Sequence, residues 1–520
     1  MVAVERRAAR ELGAPMASLL ERYADRISGV LACFDRVVVM GTLPVVAWSE
    51  GMESLLRSRG VRVFDYPRFC EPLRDEIREA AERTARENGI EVEFISKASF
   101  RKESRVQEIL AKRGDHPGLV AILSAMEGCT SYKPRYDKAH QRAYLQPTTA
   151  KCLHYYFYFQ DETLGLIYVR VPTWCPFRLQ VYFNGHAWLA GRLKAAGIAF
   201  RMQDNAFVEV ADFAPAQKLA DEFPVEQLHQ ILDRYAHRCC PVIAGLGQEY
   251  HWSLMQVEYA TDVIFRTADA LKALYEGLTY TAIHAVKPEH VATFFGRKPV
   301  VETTAETTSR LKTTVQGTCI KHQLGPATIK MYDKHGFVLR IETTTNDVSF
   351  FKCHRMVEHP DREATCQVAN VKKTIYSLPI VRELFFSSNR RYLAFLSALD
   401  DDTEGRENLN RLTRPREENG RRYPGFNFFA TEDAQLLAAI ARGEHAISGL
   451  RHKDLRPHLP ERSRASISRA IKRLRTHGLI RKIGHTYKYY VTELGLRAIA
   501  AGQRLRELLV IPTLAQPAGA

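Results

Sequence analysis

The sequence predicts a multi-domain protein of mixed α/β and α+β class, and three observations support this. Strand and helix signals alternate through residues 1–150, strand pairs recur through residues 151–400, and residues 431–510 contain a basic amphipathic helix followed by a short basic hairpin. Residues 401–430 are charged, poor in large apolar side chains and typical of a solvated linker. We therefore expect an N-terminal alternating β/α domain, a central mixed-sheet domain, a polar linker and a C-terminal winged helix.

Apolar β-branched runs and amphipathic segments alternate in the first region. The predicted strands are Val37–Met40, Val61–Phe64, Ile90–Ile95 and Leu119–Leu123. The predicted helices are Glu50–Arg59, Pro72–Asn88 and Lys102–Arg113. Strands separated by helices imply a parallel or mixed sheet with helices on its faces.

The pattern changes near Cys152. Two strands around a polar turn, a strand followed by a helix, and a further hairpin predict an α+β sheet domain. Residues 215–300 are predicted to be mainly helical, and this includes the segment His251–Phe265. Residues 314–350 return to strands, and a helix is predicted over Ile380–Ala398.

The basic segment near the C-terminus is the clearest functional signal. Between Arg451 and Tyr490 the only acidic residues are Asp454 and Glu461. On the predicted helix Ser463–His477, the apolar stripe expected to face a core is Ala465, Ile467, Ala470, Ile471 and Leu474. The side chains predicted to contact nucleic acid are Arg464, Ser466, Arg469, Lys472, Arg473 and Arg475 on the helix, with Arg481, Lys482, His485 and Lys488 on the hairpin.

The overall charge supports a polyanionic partner. Net charge is +15 and the pI is near 9.3, and basic groups that neutralise phosphates release condensed counterions. The segment Ser131–Tyr144 is basic and poor in apolar side chains, so it is predicted to be an exposed loop in which Lys133 and Arg135 contact nucleic acid. DNA is the expected partner and RNA the alternative, and a homo-oligomer is left open.

Cysteine usage and apolar runs bear on the compartment. The ten cysteines form no Cys-x-x-Cys pair, the N-terminal segment has no signal-peptide core, and no run approaches the ~18 apolar residues of a membrane span. We expect a reduced, cytoplasmic protein with no membrane partner. A zinc site is a less favoured alternative, because the spacing fits no usual finger for Cys319, His322, Cys353, His354, His359 and Cys366.

The candidate catalytic residues are carboxylates. A metal-dependent nuclease or transposase needs two or three of them converging on Mg²⁺, which is the cofactor expected in that case. Asp35 precedes the first predicted strand, and Glu127 follows the fourth, near the carboxyl ends where α/β ligands collect. Asp161, Asp333 and Glu342 could join either residue, and the spacing does not select one set.

Tyr259 is the best candidate for a nucleophilic tyrosine. On the helix predicted there, Glu258 and Asp262 are four residues apart and share one face, where they could bind a cation. Such a carboxylate pair is more often solvated or ion-paired, and a tyrosine in this setting is more often part of a core.

Aromatic side chains cluster in the central region. The run Tyr155–Phe159 lies among basic residues and, if exposed, would be a stacking platform for single strands. A sheet that is packed on both faces is the favoured alternative.

Three resemblances accompany these patterns. The segment RAIKRLRTHGLIRKIGHTYKYYVTELG resembles the DNA-binding half of a MarR-type winged helix. IKMYDKHGFVLRIETTTND resembles a strand pair of plasmid and phage replication initiators, although the chain has no His-hydrophobic-His metal motif. In this pair, Arg340 and Glu342 either contact a phosphate and a metal or pair with Lys334 and Asp333. Most of the chain resembles a group of bacterial proteins of unassigned role that share a C-terminal winged helix.

Together these observations predict a nucleic-acid-binding protein that acts on DNA, with a winged helix that docks on duplex. The large N-terminal part would process the nucleic acid, as in a mobile-element transposase or a replication-initiator-like protein. The alternatives are a MarR-like transcriptional regulator without enzymatic activity and an RNA-binding component of a ribonucleoprotein.

Overall fold

The protein forms two compact units, Met1–Asp400 and Asp401–Ala520. The structure is a computed structural model, and it describes residues 19–97, 99–298, 306–314, 317–359, 362–400, 403–442, 445, 449–484 and 486–515. The first unit contains a large mixed sheet with helices, and the second contains helices and short hairpins. The predicted multi-domain α/β class is therefore confirmed at this level.

Strands dominate the first unit. They are β1 (Ile27–Thr42), β2 (Val92–Ile95), β3 (Gly118–Asp137), β4 (Arg142–Asp161), β5 (Gly165–Pro172), β6 (Leu179–Asn184), β7 (Phe200–Gln203), β8 (Ala206–Val210), β9 (His251–Phe265), β10 (Thr307–Thr314), β11 (Gly317–Leu324), β12 (Ala327–Lys334), β13 (Val338–Thr345), β14 (Lys352–His359) and β15 (Arg362–Asn370).

Helices of the first unit connect or cover these strands. They are α1 (Leu19–Arg22), α2 (Ser49–Ser58), α3 (Tyr66–Glu87), α4 (Lys102–Arg113), α5 (Gly185–Ala195), α6 (Phe213–Asp221), α7 (Val225–Cys239), α8 (Val242–Leu246), α9 (Ala268–His284), α10 (Pro288–Phe294) and α11 (Leu378–Asp400). Single 3₁₀ turns cover Val63–Asp65, Val348–Phe350 and Ile375–Ser377.

Eleven strands form one sheet in the order β10-β11-β12-β13-β9-β1-β6-β5-β4-β3-β2. Only β2 and β3 pair in parallel among the described strands, and the other neighbours are antiparallel. The boundary that the sequence suggested at residue 150 falls inside β4, so residues 1–150 and 151–400 share one sheet rather than forming two domains. The hairpins β7–β8 and β14–β15 are separate two-stranded sheets.

Alternation along the strands gives the large sheet two different faces. On one face, side chains such as Val37, Val257 and Tyr259 belong to the main hydrophobic core. On the other face many cross-strand partners are polar, as in the pair Lys330–Glu342. We call this the polar face, and its members include Lys330, Tyr332, Arg340, Glu342, Glu258, Asp262, Asp35, Asn184, Gln180, Arg170, Tyr156 and Glu127.

Three local predictions in the first unit are wrong. Val61–Phe64 is not a strand, because a 3₁₀ turn leads there into α3, whose first turn contains Pro67. His251–Phe265 is not a helix but strand β9, which is rich in β-branched and aromatic residues and lies between β1 and β13 in the sheet. Ser131–Tyr144 is the end of the long β3–β4 hairpin rather than a loop.

In chain order, the described residues of the second unit form a helix, a hairpin, three helices, a second hairpin and further helical segments. After α12 (Thr403–Thr413) and the hairpin β16 (Arg416–Glu418) and β17 (Arg421–Tyr423), the elements are α13 (Thr431–Ile440), α14 (His452–Leu455) with a 3₁₀ turn at Arg456–His458, α15 (Arg464–Thr476), β18 (Ile480–Lys482), β19 (Tyr489–Val491), α16 (Glu493–Arg504), a π-helical segment (Leu505–Val510) and α17 (Ile511–Ala515). Leu450 bridges to Tyr489 beside the β18–β19 hairpin.

A separate small core holds the second unit together. On α15, Ile467, Ala470, Ile471 and Leu474 are buried in it, as the stripe predicted. Ala465 is exposed instead, because it lies in the first turn of α15 outside the packed face.

Candidate functional site

A β-bulge places the first residue of the candidate site. The register of β1 against β9 slips at Asp35 and Arg36, so both residues lie opposite Glu258. Such a bulge re-aims side chains locally and is common beside active sites. Asn184 on β6 donates a hydrogen bond of 2.8 Å to Asp35, which fixes the carboxylate on the polar face.

Three carboxylates converge at this point. Asp35 of β1, Glu258 of β9 and Glu342 of β13 each offer an oxygen atom, and these atoms lie within 4.8 Å of one another. Asp35 is 5% exposed and Glu342 is 2% exposed, whereas Glu258 is half-buried. We call these three residues the carboxylate centre.

Lys330 on β12 balances part of the negative charge. Its Nζ lies 2.5 Å from Oε1 of Glu342 and 3.8 Å from Oε2 of Glu258. The hydroxyl group of Tyr332 donates to the other oxygen of Glu342 at 2.7 Å. Burial and the negative charge of Asp35 would both raise the pKa of Glu342. Lys330 outweighs these two effects and holds the pKa below its ordinary value.

Glu258 behaves differently from its two partners. Burial and the nearby Glu342 carboxylate raise its pKa from 4.5 to about 7, although Lys330 opposes the shift. Gln256 donates a hydrogen bond of 2.7 Å to Glu258. One member of the carboxylate centre therefore changes charge near neutral pH.

The buried Arg340 forms an ion pair with Asp35. Arg340 is 0% exposed and binds both oxygens of Asp262 at 2.6 and 2.7 Å, and it reaches Asp35 at 3.2 Å. Its Nη2 also contacts Nε2 of His186 at 2.9 Å. The ring of His186 also lies between two carboxylates, with Nδ1 3.4 Å from Asp35 and Nε2 3.6 Å from Asp262, and although burial opposes the shift, its pKa is raised well above the ordinary value.

This network holds Asp35 ionised. Burial alone would raise the pKa of Asp35, but His186 and Arg340 outweigh it and hold the pKa well below the ordinary value. Arg340 lowers the pKa of Asp262 in the same way against the effect of burial. The carboxylate of Asp35 is thus charged over the whole physiological range.

A basic cleft of about 510 Å³ opens beside the carboxylate centre. Lys330 and Tyr332 line this cleft, and both also donate hydrogen bonds directly to Glu342. The charged side chains that line it are Lys312, Lys330, Lys334, His335, Asp204 and Asp333. Three lysines and two aspartates line the cleft, a small positive excess that includes Lys330, which is shared with the carboxylate centre.

The structure brings together only some of the carboxylates that the sequence suggested. Asp35 and Glu342 meet, whereas Asp333 accepts a hydrogen bond from the backbone N–H of Gly336 in the turn after β12. Asp161 is buried against Arg234 and Tyr235 at 2.7 and 2.8 Å. Asp333 and Asp161 thus have local structural partners.

Glu127 lies in a separate polar cluster on β3. It accepts from Lys102 at 2.6 Å, from Arg170 at 2.9 Å and from Tyr156 at 2.7 Å. Although burial opposes the shift, the hydrogen bonds from Lys102 and Tyr156 lower the pKa of Glu127 to about 2. This carboxylate is neutralised by two cations and is not a member of the carboxylate centre.

Tyr259 is not placed for nucleophilic attack. It is 1% exposed, lies on the core face of β9 and packs edge to face against Phe34. Burial raises its pKa, which disfavours the phenolate. The strand places Glu258 and Asp262 on the polar face, and Asp262 is taken by Arg340.

Arg340 and Glu342 of the strand pair β12–β13 are in ion pairs, as one alternative predicted, but their partners differ from the predicted ones. Glu342 pairs with Lys330 rather than with Lys334, and Arg340 pairs with Asp262 rather than with Asp333. Lys330 is a site residue that the sequence pattern did not single out. The period-2 alternation of β12 and β13 was the available signal, because it puts Lys330 and Glu342 on one face.

No cysteine–histidine group is arranged as a metal site within the described ranges of the chain. His322 is instead buried between Ser309 and Tyr392, with contacts of 2.8 and 3.2 Å. Burial lowers its pKa to about 4, so it is neutral at physiological pH.

The aromatic run of β4 is buried. Tyr155, Tyr156, Phe157, Tyr158 and Phe159 are all at most 7% exposed, with successive side chains on opposite faces. These rings form a core on both sides of the sheet and offer no stacking platform. By contrast, Lys133 and Arg135 are exposed on the β3–β4 hairpin.

Two of the basic residues predicted to contact nucleic acid on α15 have structural partners instead. Arg473 binds both oxygens of Asp433 at 2.7 and 2.8 Å, and its guanidinium lies 4.0 Å from the centroid of the Phe426 ring. Arg475 binds Glu418 at 2.5 Å. These arginines tie α15 to neighbouring segments of the second unit and are less available to a ligand.

The remaining basic residues of this unit lie at its surface. Arg464, Arg469, Arg481 and Lys482 are exposed, and Ser466, Lys472 and Lys488 are partly exposed. His485 lies outside the described residues.

Comparison with protein-family models, with curated proteins and with solved structures finds no match for this chain. Among the described residues, no helix combines the length and the apolar character that a membrane crossing needs.

Proposed function

We propose that this chain is a DNA-binding protein whose first unit carries a divalent-metal-dependent site for phosphodiester chemistry, as in a nuclease or transposase. The observation that carries the proposal is the convergence of Asp35, Glu258 and Glu342 within 4.8 Å on three adjacent strands. Phosphodiester cleavage and strand transfer use such carboxylates to hold Mg²⁺ or Mn²⁺.

The charges at the centre fit a hard cation. Three carboxylates and the ammonium group of Lys330 leave a negative balance when all are ionised, and oxygen atoms are the ligands that Mg²⁺ prefers. A bound divalent ion would supply electrophilic stabilisation of the phosphate and a more acidic water. Asp35 stays ionised through Arg340, and Glu258 completes the set when it loses its proton.

The adjacent basic cleft supports a phosphodiester substrate. Lys312 and Lys334 on its wall would attract the phosphate backbone, and Lys330 lies between the cleft and Glu342. An anion bound there would lie next to the carboxylate centre. This is the arrangement that metal-assisted attack on a phosphate requires.

The second unit is proposed to be a winged helix that docks on duplex DNA. Its helices, the β18–β19 hairpin and the exposed Arg464, Arg469 and Arg481 support this assignment. Lys472, Lys482 and Lys488 add positive charge to the same elements. The basic hairpin end with Lys133 and Arg135 is a further candidate contact in the first unit.

The decisive experiment is an assay of DNA cleavage and strand transfer with and without Mg²⁺ or Mn²⁺. Asp35→Asn and Glu342→Gln should abolish the metal-dependent product while binding of labelled duplex is retained. Glu91→Gln, an exposed carboxylate on a loop, is the matched control and should keep full activity. Equal activity of Asp35→Asn and Glu91→Gln would refute the assignment of the site.

A regulator without enzymatic activity is the second candidate, and one observation favours it. Lys330 already satisfies Glu342 at 2.5 Å, so the centre can persist as an ion-pair network without metal. Sequence-selective duplex binding with no product in any divalent metal would establish this alternative. A competition of duplex DNA with single-stranded RNA tests the third candidate, an RNA-binding protein.

A further inference from the structure

A second cavity, of about 250 Å³, lies against the polar face of the sheet at some distance from the carboxylate centre. The side chains that matter for its chemistry are Arg170, Arg178, His154, Trp174, Gln180 and Thr130. They come from β3, β4, β5, β6 and the loop between β5 and β6. None of the residues that line this cavity is acidic.

The loop between β5 and β6 is held rigidly. The hydroxyl groups of Tyr66 and Tyr250 donate to the backbone oxygens of Cys175 and Phe177 at 3.1 and 2.7 Å. Phe177 has a φ of +54°, which a bulky side chain adopts only when its surroundings enforce it, and it is fully buried. The loop therefore presents its two cavity-lining ends, Trp174 and Arg178, in a fixed position.

Arg178 lacks an adequate acceptor. Its Nε is buried without a hydrogen-bond partner, and its Nη2 reaches only the backbone oxygen of Ala47 at a long 3.4 Å. A guanidinium group presents a fork of donors that matches a phosphate or carboxylate. The Nε atom has no accessible surface, so an anion in the cavity that Arg178 lines would be held by the terminal nitrogen atoms of this guanidinium.

The surrounding charge also favours an anion. Across the cavity, Arg170 shares the carboxylate of Glu127 with Lys102. Two cations and one anion meet in that cluster, and Arg178 adds another positive charge nearby.

We propose that this cavity binds a phosphate group of a nucleic-acid strand, with Arg178 as the phosphate contact, Arg170 as a second positive charge across the cavity and Trp174 as an aromatic wall for the attached nucleotide. Met40 lines the cavity, and it lies five positions after Asp35 of the carboxylate centre along β1. At ~3.3 Å a residue this is roughly 16 Å. The cavity is thus a separate subsite on the same sheet face. The identity of the ligand as a strand rests on the proposed function, whereas the anion site does not.

The test measures binding without divalent metal, in EDTA, so that it is independent of cleavage. The probes are a fluorescent single-stranded oligonucleotide and inorganic phosphate as a competitor, with the full chain. Arg178→Gln should weaken oligonucleotide binding by about tenfold, because a charge-assisted, forked contact is lost. Phosphate should compete at lower concentration with the wild type than with Arg178→Gln.

Arg192→Gln is the matched control, because Arg192 is exposed on α5 and does not line the cavity. Arg178→Lys keeps the charge but not the fork, so it should bind with intermediate affinity and guards against misfolding of the glutamine variant. Equal oligonucleotide affinity of Arg178→Gln, Arg178→Lys and Arg192→Gln would overturn the proposal. If the wild-type protein shows no metal-dependent cleavage but its oligonucleotide binding still depends on Arg178, only the proposed catalytic function is refuted.

Discussion

At the scale of single residues, Glu258 is the group whose ionisation should govern metal binding. Its pKa of about 7 means that it is largely protonated at pH 6 and largely ionised at pH 8. A protonated carboxyl group is a poor ligand, so affinity for Mn²⁺ should rise as pH increases through about 7. Calorimetric titration with Mn²⁺ between pH 6 and 8 measures this.

The control for this prediction is Glu258→Gln, which cannot ionise. It should bind Mn²⁺ weakly and with little dependence on pH over the same interval. If the variant shows the same rise as the wild type, Glu258 is not the group responsible.

The same shift in pKa makes stability depend on pH. Because the pKa of Glu258 is raised in the folded protein, its favourable contribution is full below its ordinary value of 4.5 and is lost as pH rises through about 7. The free energy of unfolding of Glu258→Gln, measured relative to that of the wild type, should therefore be higher at pH 8.5 than at pH 5, by at most on the order of 3 kcal/mol. Thermal unfolding of both proteins at the two pH values checks this, and a constant difference in Tm would contradict it.

How far the sequence predicts the site also depends on single residues. Asp35 and Glu342 were recognisable as polar residues beside apolar strand runs. Glu258 was noticed only as one of a helical pair, because apolar and polar residues in β9 do not alternate cleanly when both faces of a strand are packed. Lys330 could be assigned only after the register of β12 against β13 was known.

At the scale of secondary-structure elements, Arg340 connects parts of the chain that are distant in sequence. From β13 it contacts Asp262 on β9, Asp35 on β1 and His186 on α5. Removing it leaves two buried carboxylates without their cation, so Arg340→Leu should lower the free energy of unfolding by roughly 3–5 kcal/mol. Urea denaturation gives this quantity directly.

Arg310→Leu provides the comparison, because Arg310 is exposed on β10 and its loss should change stability by less than ~0.5 kcal/mol. Arg340→Lys should fall between the two, since lysine keeps the charge but cannot bind Asp262 through two nitrogen atoms. Equal urea midpoints for Arg340→Leu and Arg310→Leu would show that the network does not stabilise the fold.

Elements with a clear amphipathic period were predicted well, and those defined by tertiary pairing were not. The helix predicted at Lys102–Arg113 has the same bounds in the structure, because one face packs and the other is charged. The predicted strand Val37–Met40 is the centre of the much longer β1. Its extension through Asp35 depends on pairing with β6 and β9, which local sequence does not reveal.

At the scale of the whole molecule, the sequence located the second unit better than the subdivision of the first. The charged stretch near residue 400 marks the point where the two compact units separate. No such change in composition marks residue 150, where the apparent division reflected a switch from helix–strand alternation to hairpins within one continuous sheet. The stretch 401–430, predicted to be a solvated linker, instead carries α12 and the β16–β17 hairpin and contributes Leu412 and Phe426 to the core of the second unit. The change in composition thus marks the boundary between the units, whereas a change of local pattern does not.

The exposed basic residues of the second unit are expected to determine how DNA binding by the full chain depends on salt. If the second unit docks on duplex, its exposed basic residues release counterions, and each phosphate contact contributes about 0.9 to the slope of log affinity against log salt. Replacing Arg464, Arg469 and Arg481 together by Gln should reduce the slope by about 2–3 and weaken binding at low salt. Fluorescence anisotropy with a labelled duplex at several KCl concentrations measures both quantities.

The matched control replaces Arg416, Arg421 and Arg422 by Gln, because these arginines are also exposed in the second unit but lie on the β16–β17 hairpin. The two triple variants have the same net charge, so a general electrostatic effect would reduce the slope equally in both. A larger reduction for the set on α15 and β18 would locate the phosphate contacts there. Equal slopes in the two variants would mean that net charge alone explains binding and that the winged-helix assignment has lost its functional support.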